Sequence, residues 1–184
     1  MKICIVSDSH DRSKPLLAAV SAAHAEGAEA VIHCGDLIGA HTLRATLKIG
    51  LPIHAVHGNN IGDQMALHRM MVKSSGQFKY YGMDASIELG GRRIFITHYP
   101  HYGHAMACTG DYDLVCCGHS HKAEVVQQRN IRGGTSILAN PGTVAGIDAP
   151  GIIAPCTWIM GDLDTMQFEI RTLGTHKEPE VADA

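Results

Sequence analysis

Apolar residues in this chain come in short runs, and five of those runs stop at a residue able to bind a metal. Residues 3–6 lead into Asp8 and His10, 31–32 into Gly35 and Asp36, and 53–56 into Gly58, Asn59 and Asn60. Residues 94–96 lead to His98, and 114–117 to Gly118, His119, Ser120 and His121. A short apolar run bounded by turn residues suits a strand buried on both faces. Where such strands lie parallel, their carboxyl ends converge on one edge, the place where open α/β sheets bind ligands.

Between the early runs the pattern turns helical. Ser13, Lys14 and Pro15 read as a helix start, with Leu16, Leu17, Val20 and Ala23 on one apolar face and Gly27 as the stop. Residues 41–48 and 61–71 are expected as further helices, which gives crossovers long enough for parallel pairing. The middle and end of the chain change character. Residues 77–81, 85–89, 93–97, 123–128, 135–138, 156–163 and 166–170 read as strands, with Gly90 and Gly91 as a hairpin turn. Residues 102–108 read as a short helix over the sheet edge. A parallel first half and a hairpin-rich second half predict two mixed sheets packed face to face with helices outside. At 184 residues the chain suits one domain, expected over 1–173, with a polar flexible tail over 174–184.

Composition narrows the chemistry. The formal charge is −3, from 15 basic and 18 acidic residues, with no basic run and few aromatics. A nucleic-acid groove needs clustered Lys and Arg and is not expected. A small phosphate ester remains a fitting substrate, because metal ions would supply the positive charge. The six cysteines show no zinc-site or redox spacing, and Cys4, Cys34, Cys116 and Cys117 fall in apolar segments. Reduced thiols and no signal-peptide pattern lead to the expectation of a cytoplasmic protein. No apolar stretch is long enough to span a membrane, and a homo-oligomer is compatible with the sequence.

Each candidate motif alone is bland. Asp8-x-His10 usually marks a turn with a surface histidine, Gly35-Asp36 any turn, and Gly58-Asn59-Asn60 a plain turn. Gly118-His119-Ser120-His121 is stronger, since two imidazoles around a small residue can reach neighbouring ions. Their recurrence at strand ends, in order, is what points to metal. Oxygen and nitrogen ligands without thiolate suit Mn first, then Fe, Zn, Ni or Co, over Ca or Mg. A carboxylate such as Asp36 has two oxygens and can bridge two cations, which sit about 3.5–4 Å apart in such sites.

The ordered set Asp8-x-His10, Gly35-Asp36, Gly58-Asn59, His98 and Gly118-His119-x-His121 resembles the calcineurin-like metallophosphoesterases. With the short length and Asn140-Pro141-Gly142-Thr143, it is most similar to their small bacterial and archaeal phosphodiesterase branch, over about residues 1–145. The resemblance implies a four-layer αββα sandwich of the α/β class. It implies one cation on Asp8, His10, Asp36 and His121, and a second on Asp36, Asn59, His98 and His119. It further implies that a metal-bridging hydroxide attacks small phosphate diesters, with Asn59, Asn60, His98 and His119 beside the reacting phosphate. A phosphomonoesterase, or a non-catalytic scaffold like the retromer subunit that resembles these enzymes, are the other readings of the same fold.

The chain departs from the family pattern in two places. Asn60-Ile61 stands where relatives carry His, or Cys followed by Asp, so acid assistance to the leaving group is absent at that position. Asp63 stands either for the missing carboxylate or for a helix start. Tyr99-Pro100 follows His98 in place of a small Gly, and narrows the pocket, packs, or stacks on an aromatic group.

Overall fold

The computed structural model describes residues 1–174, so the tail expected over 174–184 lies, Gly174 apart, outside the described residues. In chain order the elements are β1 (Lys2–Val6), α1 (Ser13–Ala25), β2 (Ala30–His33), β3 (Ile53–Ala55), α2 (Gln64–Lys73), β4 (Phe78–Tyr80) and β5 (Asp84–Leu89). There follow β6 (Arg92–Thr97), α3 (Pro100–Thr109), β7 (Leu114–Cys116), β8 (Ala123–Arg129), β9 (Thr135–Pro141), β10 (Thr157–Asp162) and β11 (Gln167–Thr172). One sheet has the order β11-β10-β1-β2-β3-β4, and the other β5-β6-β7-β9-β8. Strands β1 to β4 pair in parallel, as do β6, β7 and β9, while the flanking pairs are antiparallel.

Side-chain alternation along each strand sorts the core into layers. Ile3 and Ile5 of β1 pack between the sheets against Ile94 and Ile96 of β6. Cys4 and Val6 turn the other way, onto Leu16, Ala19, Val20 and Ala23 of α1. On the far side Phe95, Val115 and Leu138 meet Ala107 of α3. The result is the expected αββα sandwich. Adjacent Cys116 and Cys117 belong to opposite layers, as the pleat requires. Gly90 and Gly91, with φ of 56° and 71°, close the two-residue turn of the β5–β6 hairpin.

Two segments differ from the sequence pattern. Residues 41–48 form no α-helix; two 3₁₀ turns, Ala40–Leu43 and Thr46–Ile49, stand there. Thr42 and Thr46 are buried, and Thr42 Oγ1 donates to Asp11 Oδ1, which holds the backbone in tight turns until Gly50 turns left-handed at φ 96°. Strand β9 runs through Asn140 to Pro141, beyond the expected 135–138, with Asn140 paired to Glu124 and Pro141 to Ala123. Proline is tolerated there because it ends the strand. Among the described residues no helix is long and apolar enough to cross a membrane.

Candidate metal centre

The loops leaving β1, β2, β3, β6 and β7 meet above one edge of the sandwich. Asp8 N donates to Gly35 O and His10 N to Asp36 O, each at 3.0 Å, so the first two loops continue the parallel pairing of their strands. Gly118 N donates to His98 O at 2.9 Å and ties the last two loops in the same way. Five of the eight expected site residues then turn left-handed: Asp8 (φ 52°), His10 (41°), Asp36 (52°), His119 (67°) and His121 (56°). L-residues resist this conformation by about 1–2 kcal/mol, Asp less than most. Such concentrated strain marks a site whose side chains are aimed by the backbone.

Two triads result. Asp8, His10 and His121 form one, Asp8, Asp36 and His98 the other, with ligand atoms in each within 4.8 Å of one another. Asp8, Asp36 and His98 are at most 2 % exposed. Asp36 spans the pair: its Oδ2 lies 3.5 Å from His10 Nε2 and its Oδ1 3.5 Å from His98 Nε2. Asp8 Oδ1 faces His121 Nε2 at 3.2 Å and His10 Nε2 at 3.7 Å. Burial disfavours the Asp8 carboxylate, but the facing His10 and His121 outweigh it and hold the group well below the usual carboxylate range. Asp8 in turn raises the His121 imidazole above its ordinary value.

His98 and Asn59 carry the site outward. Asn59 Oδ1 lies 3.0 Å from His98 Nε2 and 2.8 Å from His119 Nδ1, so the carboxamide joins both imidazoles. Asn60 donates to Asp36 twice, from its backbone N–H to Oδ1 at 2.9 Å and from Nδ2 to Oδ2. Asn60 thus lies against the central carboxylate. Asp63 caps α2, accepting from Ala66 N at 2.9 Å, which fits its helix-start reading. His119 and Asn59 stand outside the two triads and reach them through these hydrogen bonds.

Three glycines make room for the convergence. A β-carbon on Gly35 would lie 2.6 Å from His98 Nδ1, one on Gly58 would collide with Asp36 Oδ1, and one on Gly118 with Ser7 Oγ. The Gly before Asp36, Asn59 and His119 is therefore a steric requirement and not turn chemistry alone.

The donors fit a divalent cation. Asp8 Oδ1 and His10 Nε2 are buried with no hydrogen-bond partner, and such atoms are costly unless something else pairs with them. His98 Nδ1 lies 2.8 Å from Cys34 O and His121 Nδ1 2.6 Å from Ile147 O. A carbonyl only accepts, so Nδ1 carries a proton and Nε2 is the nitrogen turned to the centre.

Several supports escaped the sequence reading. Buried Asn140 donates to Gly118 O at 2.9 Å and Ser120 Oγ at 3.0 Å, bracing the His119 loop. Thr143 Oγ1 donates to Asp8 O at 2.9 Å. His33 bridges two loops, accepting from Gly35 N at 3.3 Å and lying 3.1 Å from Ser9 Oγ. Asp11 Oδ1 accepts from Gly39 N at 2.7 Å. The Asn140–Thr143 cluster was the one visible signal; backbone carbonyl acceptors leave none in the sequence.

A family model, the calcineurin-like phosphoesterase superfamily domain, matches residues 1–166, and the chain belongs to that superfamily. The membership carries the enzyme class, a phosphoric ester hydrolase that uses divalent metal ions. The chain is 29 % identical over 175 residues to phosphodiesterase MJ0936 of Methanocaldococcus jannaschii, covering 94 % of this chain and 98 % of the relative. The solved structure of an archaeal phosphodiesterase superposes with a TM-score of 0.82 at 26 % identity, over 94 % of this chain and all of the other. Yfce, a phosphoesterase from E. coli, gives a TM-score of 0.62 at 20 % identity over 95 % of this chain and all of its own; that likeness shows the fold alone.

Proposed function

We propose that this chain is a phosphodiesterase that hydrolyses small phosphate diesters at a two-cation centre, with Mn²⁺ the preferred ion. The observation that carries the reading is the pair of buried, unpartnered atoms Asp8 Oδ1 and His10 Nε2, with Asp36 directing one oxygen toward each flanking histidine. Asp8, His10, Asp36 and His121 would hold one cation, and Asp36, Asn59, His98 and His119 the other. When bound, the cations acidify water and offset charge on the phosphoryl oxygens.

The chain's own groups set the rest. Cys34 O and Ile147 O accept from Nδ1 of His98 and His121, which leaves Nε2 of each ring as the nitrogen available to a cation. Asn60 orients Asp36 and donates hydrogen bonds, but a carboxamide cannot hand a proton to a departing alkoxide. Esters whose leaving groups need no protonation are therefore the better substrates. The name of the M. jannaschii relative supports the diester, and six unpaired thiols support a reducing compartment, the cytoplasm.

Mn²⁺-loaded protein is expected to hydrolyse bis-para-nitrophenyl phosphate, with near two metals per chain by elemental analysis. Asp36→Asn or His119→Ala should lower kcat/KM by about a hundredfold or more, since even outer groups of metal sites cost 10–100-fold. A metal-replete protein inert toward diesters overturns the reading; one metal per chain overturns its dinuclear part.

A further inference from the structure

A run of aromatic rings leads away from the metal centre. The Tyr99 ring lies 5.3 Å from that of His98 and 5.3 Å from that of His119, edge-on to both. The Tyr102 ring lies 5.9 Å beyond Tyr99, and His101 sits 4.1 Å from Tyr102 and 5.7 Å from Tyr99. These separations lie within the range in which aromatic rings attract one another.

Backbone geometry fixes the rings. Tyr99 is extended (φ −90°, ψ 123°), and Pro100 then opens α3, so Tyr99 stands at the corner while His101 and Tyr102 occupy the first helical turn. The core does not need them. Helix α3 is buried through Gly103 and Ala107, while His101 is exposed and Tyr102 is 53 % exposed. The first turn of α3 carries no acidic residue, so a phosphate-linked group meets no carboxylate from that turn.

We infer that Tyr99, His101 and Tyr102 form a stacking platform for a planar aromatic group, either an aryl ring esterified to the phosphate held at the metal centre or a nucleobase carried on the sugar of such an ester. This rests on the phosphodiesterase reading for where the phosphate sits, and adds which esters the site prefers. Tyr99 touches the rings of His98 and His119, so an aryl ring esterified to the phosphate meets Tyr99, while a nucleobase, one sugar further from the phosphorus, meets Tyr102 and His101. Aromatic faces accept any base, so the selection is for a flat ring and not for one sequence of hydrogen-bonding groups.

Calorimetric titration of Mn²⁺-loaded protein with adenosine 5′-monophosphate, phenyl phosphate and ribose 5-phosphate tests this without turnover. The two ring-bearing ligands are expected to bind about tenfold more tightly than ribose 5-phosphate, as base–aromatic stacking allows. Adenosine 5′-monophosphate ahead of phenyl phosphate identifies a nucleobase as the natural ring, and parity or the reverse an aryl group. Tyr102→Ser should erase the ring preference and raise KM for bis-para-nitrophenyl phosphate about tenfold at unchanged kcat, while Tyr102→Phe keeps both. Equal binding of all three ligands, or a Tyr102→Ser protein that retains the preference, overturns the platform. An active enzyme with no ring preference sinks the platform alone. An inert protein that still prefers ring-bearing ligands sinks the diesterase reading and leaves the platform standing.

Discussion

At the scale of single residues, His33 shows how a group outside the ligand set holds it in place. It is fully buried beneath the first two loops, contacting Ser9 Oγ and Gly35 N. Burial pushes its imidazole down to a pKa of about 4, against an ordinary value of 6.5. Between those values the unfolded chain binds a proton that the folded chain refuses, so stability falls as pH drops from about 6.5 toward 4 and levels off below. A shift of that size is worth about 3 kcal/mol. His54, pushed to about 4 by burial, acts in the same direction. His121, raised by Asp8, acts oppositely, and the depressed Asp8 carboxyl loses its contribution only at lower pH. Urea unfolding of metal-free protein at pH 7.5 and 4.5 should therefore show a loss at acid pH, and His33→Gln should remove about half of it. An unchanged pH difference in His33→Gln would mean that His33 is not held neutral.

At the scale of elements, the strands were legible and the connections less so. The pleat announces itself in sequence because buried faces demand apolar residues at fixed period; residues 94–96 and 114–117 could be placed by that alone. The candidate ligands were legible for the same reason, since each follows an apolar run that ends a strand. The 3₁₀ turns after β2 were not, because Leu43 and Leu47 fit a helical spacing while the part-buried Thr42–Asp11 bond that overrides it joins segments far apart in the chain. Nor could Asn60 be seen to face Asp36, since side-chain direction in a turn depends on φ. The loop glycines carry a sharper message. Gly58→Ala sets a methyl group against Asp36 Oδ1, Asp36 N and His98 Cδ2, so the loop after β3 must retreat from the carboxylate. Activity and Mn²⁺ affinity should fall at least about tenfold, as losses around metal ligands do, with circular dichroism unchanged. Full Mn²⁺ affinity in this variant would show that the loop yields without cost.

At the scale of the whole molecule, the two sheets act as one frame. Candidate ligands after β1, β2 and β3 come from one sheet and those after β6 and β7 from the other, so cations bound between them would link the layers. Binding to the folded state alone stabilises it by about 2.7 kcal/mol at a hundredfold excess over Kd. For a chain of this size that corresponds to roughly 5–10 °C in Tm. Calorimetry with and without Mn²⁺ should show that rise, Asp36→Asn should abolish it, and a Tm indifferent to Mn²⁺ would refute the linkage.

The left-handed backbone at His10 and His119 has an evolutionary corollary. Glycine adopts that conformation freely, so a glycine in place of either histidine would relax the main chain even as it removed a candidate metal ligand. Selection for hydrolysis thus works uphill at these positions. A lineage that no longer required turnover would find the first steps of decay thermodynamically easy, and would keep the sandwich intact while it shed the chemistry.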